Sequence, residues 1–435
     1  MVAQAPVVTS LAPVATECAK AKAGSNVLGL SPRRCGRPSW VVAGLHHGRG
    51  LASRFGASSL AAGALALRQL RRSRRHGRRR SSRSPGASTA LGSLPGLYLG
   101  TMTFGWSQAS SPVDQPLAES MVEKFFAAGG REIDTARIYS AGDAEPMLGR
   151  ALRSLAAQGA VVRLATKAHP SRPGGLSAEG LRAQLEESLG ALQVERVDAL
   201  YLHQPDPDQD LAESLECLHG LVSEGKVGQL GLSNYSALEV ERCCALCEAE
   251  GWTQPSLYQG LYNPLNRMAE EELLPVLRRH GISFIAYNPL AGGLLTGKHQ
   301  QGTEVLEGRF KNNPNYLPRF YTDPNFEALA KLGEACSSHG LSLVEAAYAW
   351  LLRHSHLEGP LGDGLLLGAS SGAQLDENLA ACREPTELPA EVLAAFDGAW
   401  ELCKGGAFPY WRSYSKDQPG REALDPGASY EAGKK

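Results

Sequence analysis

Short apolar runs alternate with longer amphipathic stretches along most of the chain. Runs of strand type fall at 97–99, at Ile133, and at 161–166, 197–202, 228–232, 257–258, 282–287 and 365–367. Between them, apolar residues recur at helical spacing. Helices are predicted over 118–128 (stopped by Gly129 and Gly130), 145–155, 211–222 (closed by Gly225), 237–249, 270–280 (stopped by Gly281), 326–339 and 343–353. Another opens at Ser177 as N-cap and repeats Leu181, Leu185, Leu189 and Leu192.

The strands lie mostly about thirty residues apart, as crossover βαβ units require. Eight such units predict a (β/α)8 TIM barrel within 91–415 rather than a doubly wound sheet. The strand runs are almost wholly apolar, as expected of strands buried on both faces. Several end next to a polar residue, at the end of the barrel where sites are built.

Four of those polar residues make a chemical set: Asp134, Tyr139, Lys167 and His203. A free tyrosine is a poor acid, with a pKa near 10. A neighbouring ammonium favours its phenolate, so Lys167 would assist Tyr139, and Asp134 would hold Lys167 by an ion pair. His203 can donate a hydrogen bond to a carbonyl oxygen or share its proton. Each residue alone has an ordinary structural reading. The combination at four strand ends points to proton transfer onto a carbonyl.

Composition changes the picture mainly at the N-terminus. The net charge of −1 gives no reason to expect a nucleic-acid partner. Between Met1 and Val113 the one acidic residue is Glu17, and Arg68 to Arg83 is dense in arginine. Residues 1–90 therefore read as a disordered targeting presequence, for a plastid more than a mitochondrion. A nucleic-acid-binding arm and a plain disordered tail, which would leave the protein cytoplasmic, are the alternatives. The apolar patch at 60–67 is too short to span a membrane. Cys243, Cys244 and Cys247 cluster, but without a partner pair at metal-ligand spacing they read as small apolar groups on one helix. No metal site is expected. Residues 416–435 read as a flexible tail.

The motifs Gly100-Thr101-Met102, Ile133-Asp134-Thr135-Ala136-x-x-Tyr139-Ser140, Thr166-Lys167, Tyr201-Leu202-His203-x-Pro205-Asp206 and Gly231-Leu232-Ser233-Asn234-Tyr235 resemble the aldo-keto reductase superfamily. So do Tyr258-Gln259-Gly260-x-Tyr262-Asn263 and the run 288–298. Within it the chain is similar to the aflatoxin-aldehyde and succinic semialdehyde reductase branch, over roughly residues 97–412. The resemblance implies an NADPH-dependent carbonyl reductase acting on a small-molecule substrate, with Tyr139 as general acid. Ser233, Asn234 and Gln259 would hold the nicotinamide carboxamide, and Tyr287 would stack on its ring. The branch is often dimeric, which allows a homodimer. A related branch, the potassium-channel β subunits, keeps barrel and cofactor but acts as a regulatory binding module.

No Rossmann fingerprint is present, and Gly362-x-Gly364 leads into a strand. The run Asn288-Pro289-Leu290 with Gly292 and Lys298 offers small residues and a cation to the pyrophosphate. Gly368, Ser370 and Ser371 open a helix carrying Gln374 and Asn378, a position suited to the adenosine 2'-phosphate, with Arg309 as a clamp. Trp106, His203, Arg319 and Arg412 are the substrate candidates; the two arginines would fork a carboxylate. The stretch 299–324 departs from the branch in length and sequence.

Overall fold

The computed structural model describes residues 94–412, apart from 108, 158, 304, 306, 307, 312, 314 and 315. The expected presequence and the tail at 416–435 lie outside the described residues.

Eight parallel strands close a barrel in sequence order: β1 (Gly96–Gly100), β2 (Glu132–Asp134), β3 (Arg163–Ala168), β4 (Val197–Leu202), β5 (Val227–Ser233), β6 (Leu257–Leu261), β7 (Ser283–Tyr287) and β8 (Gly364–Leu367). β1 pairs with both β2 and β8, which removes the sheet edges. The (β/α)8 expectation holds. Leucine-rich strand faces meet the surrounding helices in one continuous apolar layer. Inside the barrel, Ala165, Ala199 and Tyr201 form a small separate cluster. Gly231 makes room for it: a Cβ there would lie 2.3 Å from Tyr201 Cδ1.

Helix starts follow their capping residues. Ser177 accepts from the Gly180 N–H, and Ser236 with Glu239 forms a capping box. Cys243, Cys244 and Cys247 are buried on the helix Ala237–Glu250, where burial pushes their thiols up. Among the described residues no helix is long and apolar enough to cross a membrane.

Several boundaries differ from the sequence reading. β3 starts two residues later than expected and runs through Lys167 to Ala168; β6 runs through Gln259 to Leu261. Ladder pairing extends both strands, as in the register Lys167↔Tyr201 and Gln259↔Ile285. An apolar pattern cannot mark a strand end whose polar side chains satisfy one another. The helix expected over 343–353 ends at Ala349 and continues as the π-turn Trp350–His354. The helix expected over 270–280 is a 3₁₀ turn, Met268–Glu270, followed by Leu273–His280. A further helix, Ala390–Cys403, packs on the helix Asp323–Ser338.

Candidate active site

Side chains alternate along a strand, so Lys167 shares the inward face of β3 with Ala165. Its Nζ donates to Asp134 Oδ2 at 2.6 Å, to the Thr135 carbonyl at 2.8 Å and to Tyr139 Oη at 3.3 Å. An ammonium has three donors, and all three are used. Gln259 Nε2 donates to the other oxygen, Asp134 Oδ1, at 2.8 Å. Burial pushes the Asp134 carboxyl up, while Lys167 and Gln259 pull it back down.

Tyr139 opens a tight turn, Tyr139–Gly142, in which Ser140 and Ala141 take φ of 52° and 55°. Left-handed backbone is costly for residues other than glycine, so surrounding contacts must impose it. Arg137 Nη1 donates to the Gly142 carbonyl at 3.0 Å and to Glu145 Oε2 at 2.9 Å. Glu145 Oε1 accepts from Thr166 Oγ1 at 2.6 Å. Thr166 thus anchors the turn from the outer face of β3, and its neighbour Lys167 meets Tyr139 from the inner face.

His203 follows β4 and is 3% exposed. Its ring stands edge-on to Tyr139, with centroids 5.8 Å apart. Burial, and then the neighbouring His169, Lys167 and Arg412, push its pKa well below the ordinary 6.5, which favours the neutral ring. A neutral imidazole can still donate a hydrogen bond without adding a cation beside Lys167.

Asn234, just past β5, has φ of 60°. Its Nδ2 donates to the His203 carbonyl at 2.8 Å and to Ser233 Oγ at 3.0 Å, and its Oδ1 accepts from Tyr287 Oη at 2.7 Å.

These groups open onto a cavity of about 400 Å³, within the usual size range of ligand pockets. Asp134, Tyr139 and His203 line it, as do Ser233, Asn234, Gln259 and Tyr287. Asn288, Pro289, Leu290, Gly292, Lys298 and Arg309 continue the wall, and Gly368, Ser370, Gln374 and Asn378 complete it. Gln374 Oε1 accepts from the Ser370 N–H at 2.9 Å, and Asn378 Nδ2 donates to the Gly368 carbonyl at 3.2 Å.

A family model described as the Aldo/keto reductase family matches residues 96–401. The chain belongs to the aldo/keto reductase family. It is an oxidoreductase of the carbonyl-reducing class. Aflatoxin B1 aldehyde reductase member 2 of Mus musculus is 41% identical over 343 residues, covering 76% of this chain and 92% of that protein. Aldo-keto reductase family 7 member A3 of Homo sapiens is 41% identical over 329 residues, covering 73% and 97%. An aldo-keto reductase of Pseudocercospora fijiensis is 38% identical over 288 residues, covering 65% and 97%.

Lys167, Ser371, Trp106, Arg319 and Arg412, also expected in this reductase's site, are not among the lining residues. Lys167 lies behind Asp134 and Tyr139. Ser371 caps the helix Gly372–Arg383, accepting from the Gln374 N–H at 3.2 Å. Trp106 is buried, with the Arg309 guanidinium 5.7 Å from its ring. Arg319 covers the Phe408 ring at 4.4 Å. Arg412 reaches Tyr287 Oη at 3.2 Å. The Arg309 guanidinium lies beside both rings, 5.7 Å from Trp106 and 5.3 Å from Tyr316, and 3.5 Å from Asn288 Oδ1.

Sequence reasoning missed several contributors to the reductase site. The Arg137–Glu145–Thr166 network is one; Glu145 reads as an ordinary acidic residue in a first helical turn, and only its burial marks it. His169 is another, its ring 5.1 Å from His203. Ser110 Oγ lies 2.6 Å from Ser370 Oγ, linking the loop after β1 to the loop after β8. Phe310, Tyr316 and Tyr321 supply aromatic wall from the stretch 299–324.

Proposed function

We propose that this reductase converts aldehydes or ketones to alcohols, with NADPH as reductant and Tyr139 as proton donor. One observation carries the reading. Tyr139 Oη, on the cavity wall, is 3.3 Å from a lysine that is itself pinned at 2.6 Å to a buried aspartate.

When bound, NADPH supplies the hydride that carbonyl reduction requires. The donor set of the cavity suits it. Ser233 and Gln259 present neutral polar groups for a carboxamide, and the Tyr287 ring offers a flat face. Lys298 and Arg309 are cations on the same wall as a turn rich in small residues. The start of the helix Gly372–Arg383, with Ser370 and Gln374 beside it, suits a phosphate.

A substrate carbonyl oxygen held by His203 lies on the Tyr139 side of the site. The Tyr139 O–H bond breaks and its proton passes to that oxygen. The phenolate left behind faces the Lys167 ammonium, which stabilises it without rearrangement. Asp134 and Gln259 keep the ammonium in place. Arg412 is the candidate for a substrate carboxylate. For residues 1–90 the reading is organelle targeting, plastid before mitochondrion; fusing that segment to a fluorescent reporter tests it, and diffuse cytoplasmic signal rejects it.

The deciding experiment is turnover of an aldehyde panel, including succinic semialdehyde and simple aromatic aldehydes, with NADPH and with NADH. NADPH-dependent reduction is expected. Equal efficiency with NADH removes the 2'-phosphate assignment, and no turnover with either removes the activity.

A further inference from the structure

Tyr287 serves two environments with one side chain. Its ring lines the cavity, and its hydroxyl joins two other residues. Oη donates to Asn234 Oδ1 at 2.7 Å and accepts from Arg412 Nη2 at 3.2 Å. A phenol hydroxyl has one proton to give and lone pairs to receive, so the chain of donation runs from Arg412 to Tyr287 to Asn234. It continues inward, because Asn234 Nδ2 donates to the His203 carbonyl at 2.8 Å. The Arg412 N–H closes the ring by donating to the Asn234 carbonyl at 2.8 Å.

Arg412 belongs to a strap that follows the helix Ala390–Cys403 and passes the ends of β6 and β5. Asn266 Nδ2 holds the Phe408 carbonyl at 2.7 Å, and the Ala237 N–H donates to Tyr410 Oη at 3.1 Å. Tyr410 is buried, whereas Trp411 is partly exposed. The strap is therefore fastened upstream of Arg412 by groups independent of Tyr287, and Arg412 itself is held twice, by its N–H on the Asn234 carbonyl and by its guanidinium on the Tyr287 phenol. Asn234 adopts a left-handed backbone that its own hydrogen bonds must hold.

We propose that the Tyr287 hydroxyl is a positioning device that ties the C-terminal strap to the segment carrying His203, so that strap seating and site geometry are set together. The inference rests on the reading that His203 orients the carbonyl. Tyr287 acts through Asn234 and Arg412 and takes no part in proton transfer.

Tyr287→Phe keeps the ring face and removes the bridge. In the cofactor-free full chain, hydrogen–deuterium exchange of the Arg412 N–H is expected to speed up by about tenfold, the factor carried by ~1.4 kcal/mol of lost hydrogen bonding. The Ala237 N–H, which donates to the Tyr410 phenol, keeps its protection. With NADPH saturating, kcat falls by about tenfold while NADPH affinity stays within about twofold, because the ring remains. Tyr287→Ala weakens NADPH binding as well. Arg412→Met reproduces the exchange effect, and the double variant with Tyr287→Phe shows little further change, as two members of one device require. Unchanged exchange at Arg412 in Tyr287→Phe overturns the proposal, as do additive effects in the double variant. A fall in melting temperature with kcat unaltered also overturns it, since that marks a purely structural bond. If the wild-type chain reduces no carbonyl, the proposed function fails, whereas the exchange measurement still decides the strap.

Discussion

Lys167 lies 2.6 Å from Asp134 with both side chains essentially sealed from water, 0% and 1% exposed. A buried ion pair of this kind is held by its geometry, because neither charge has solvent to fall back on. Asp134→Asn preserves shape and leaves the lysine without its counter-charge. The expected loss of stability is about 3–5 kcal/mol, read from urea unfolding. A loss below about 1 kcal/mol, the range of a surface pair, would show that the pair does not carry the fold at this point.

Tyr139→Phe removes one oxygen and little packing. Reduction is expected to fall by about 10²–10⁴ in kcat, the usual contribution of a positioned acid. NADPH binding, followed by fluorescence, is expected to persist. Unaltered turnover would exclude Tyr139 as the proton donor.

His203 makes stability depend on pH. Its folded pKa is depressed, so below the ordinary 6.5 the unfolded chain takes up a proton that the folded chain does not. Stability is therefore full above 6.5 and declines as pH falls, by at most about 1.4 kcal/mol per pH unit for one group. Asp134, with its folded value raised, acts in the opposite sense, losing stability as pH rises from 3.8 through the folded value. His203→Asn is expected to flatten the decline between pH 6.5 and 5 in urea titrations. An unchanged slope would assign the decline to other groups.

Glu145→Gln tests the turn that presents Tyr139. The Glu145 side chain is 0% exposed and bonds both Arg137 and Thr166. Its neutral amide leaves Arg137 with Glu187 as its remaining counter-charge, at an expected cost of about 1–3 kcal/mol. The readout for positioning is kcat: it drops while NADPH affinity holds, because the cavity walls from β7 and β8 are untouched. Equal loss of both would point to general unfolding.

Lys298→Met and Arg309→Met separate the two cations of the cavity wall. Each is expected to weaken NADPH by about tenfold or more, as removal of a charge-assisted bond does. If Arg309 serves the 2'-phosphate, its loss lowers NADPH affinity and leaves NADH affinity nearly unchanged. Parallel losses for both cofactors would move Arg309 to the pyrophosphate.

The chain by itself determined the barrel and the identity of its chemical groups. Apolar runs at regular spacing, separated by amphipathic helices, admit few topologies, because a parallel strand buried on both faces needs a helical crossover. The residues Asp134, Tyr139, Lys167 and His203 were legible because polar groups at the ends of such strands stand out against apolar sequence. Strand ends were less legible: Lys167 and Gln259 sit inside β3 and β6, since their side chains are both satisfied within the barrel by the Asp134 carboxylate.

Only the tertiary structure decided what surrounds that set. Arg137, Glu145 and Thr166 come from a loop, a helix and the outer face of a strand, and their contact follows from barrel closure rather than from any local pattern. Arg319 and Arg412 read alike as free forks, yet one lies on Phe408 and the other on Tyr287. The Tyr287 hydroxyl gains its partners from the loop after β5 and from a strap more than a hundred residues away in sequence. Periodicity reports which face of an element is buried; it carries no information about which distant polar group will meet it there.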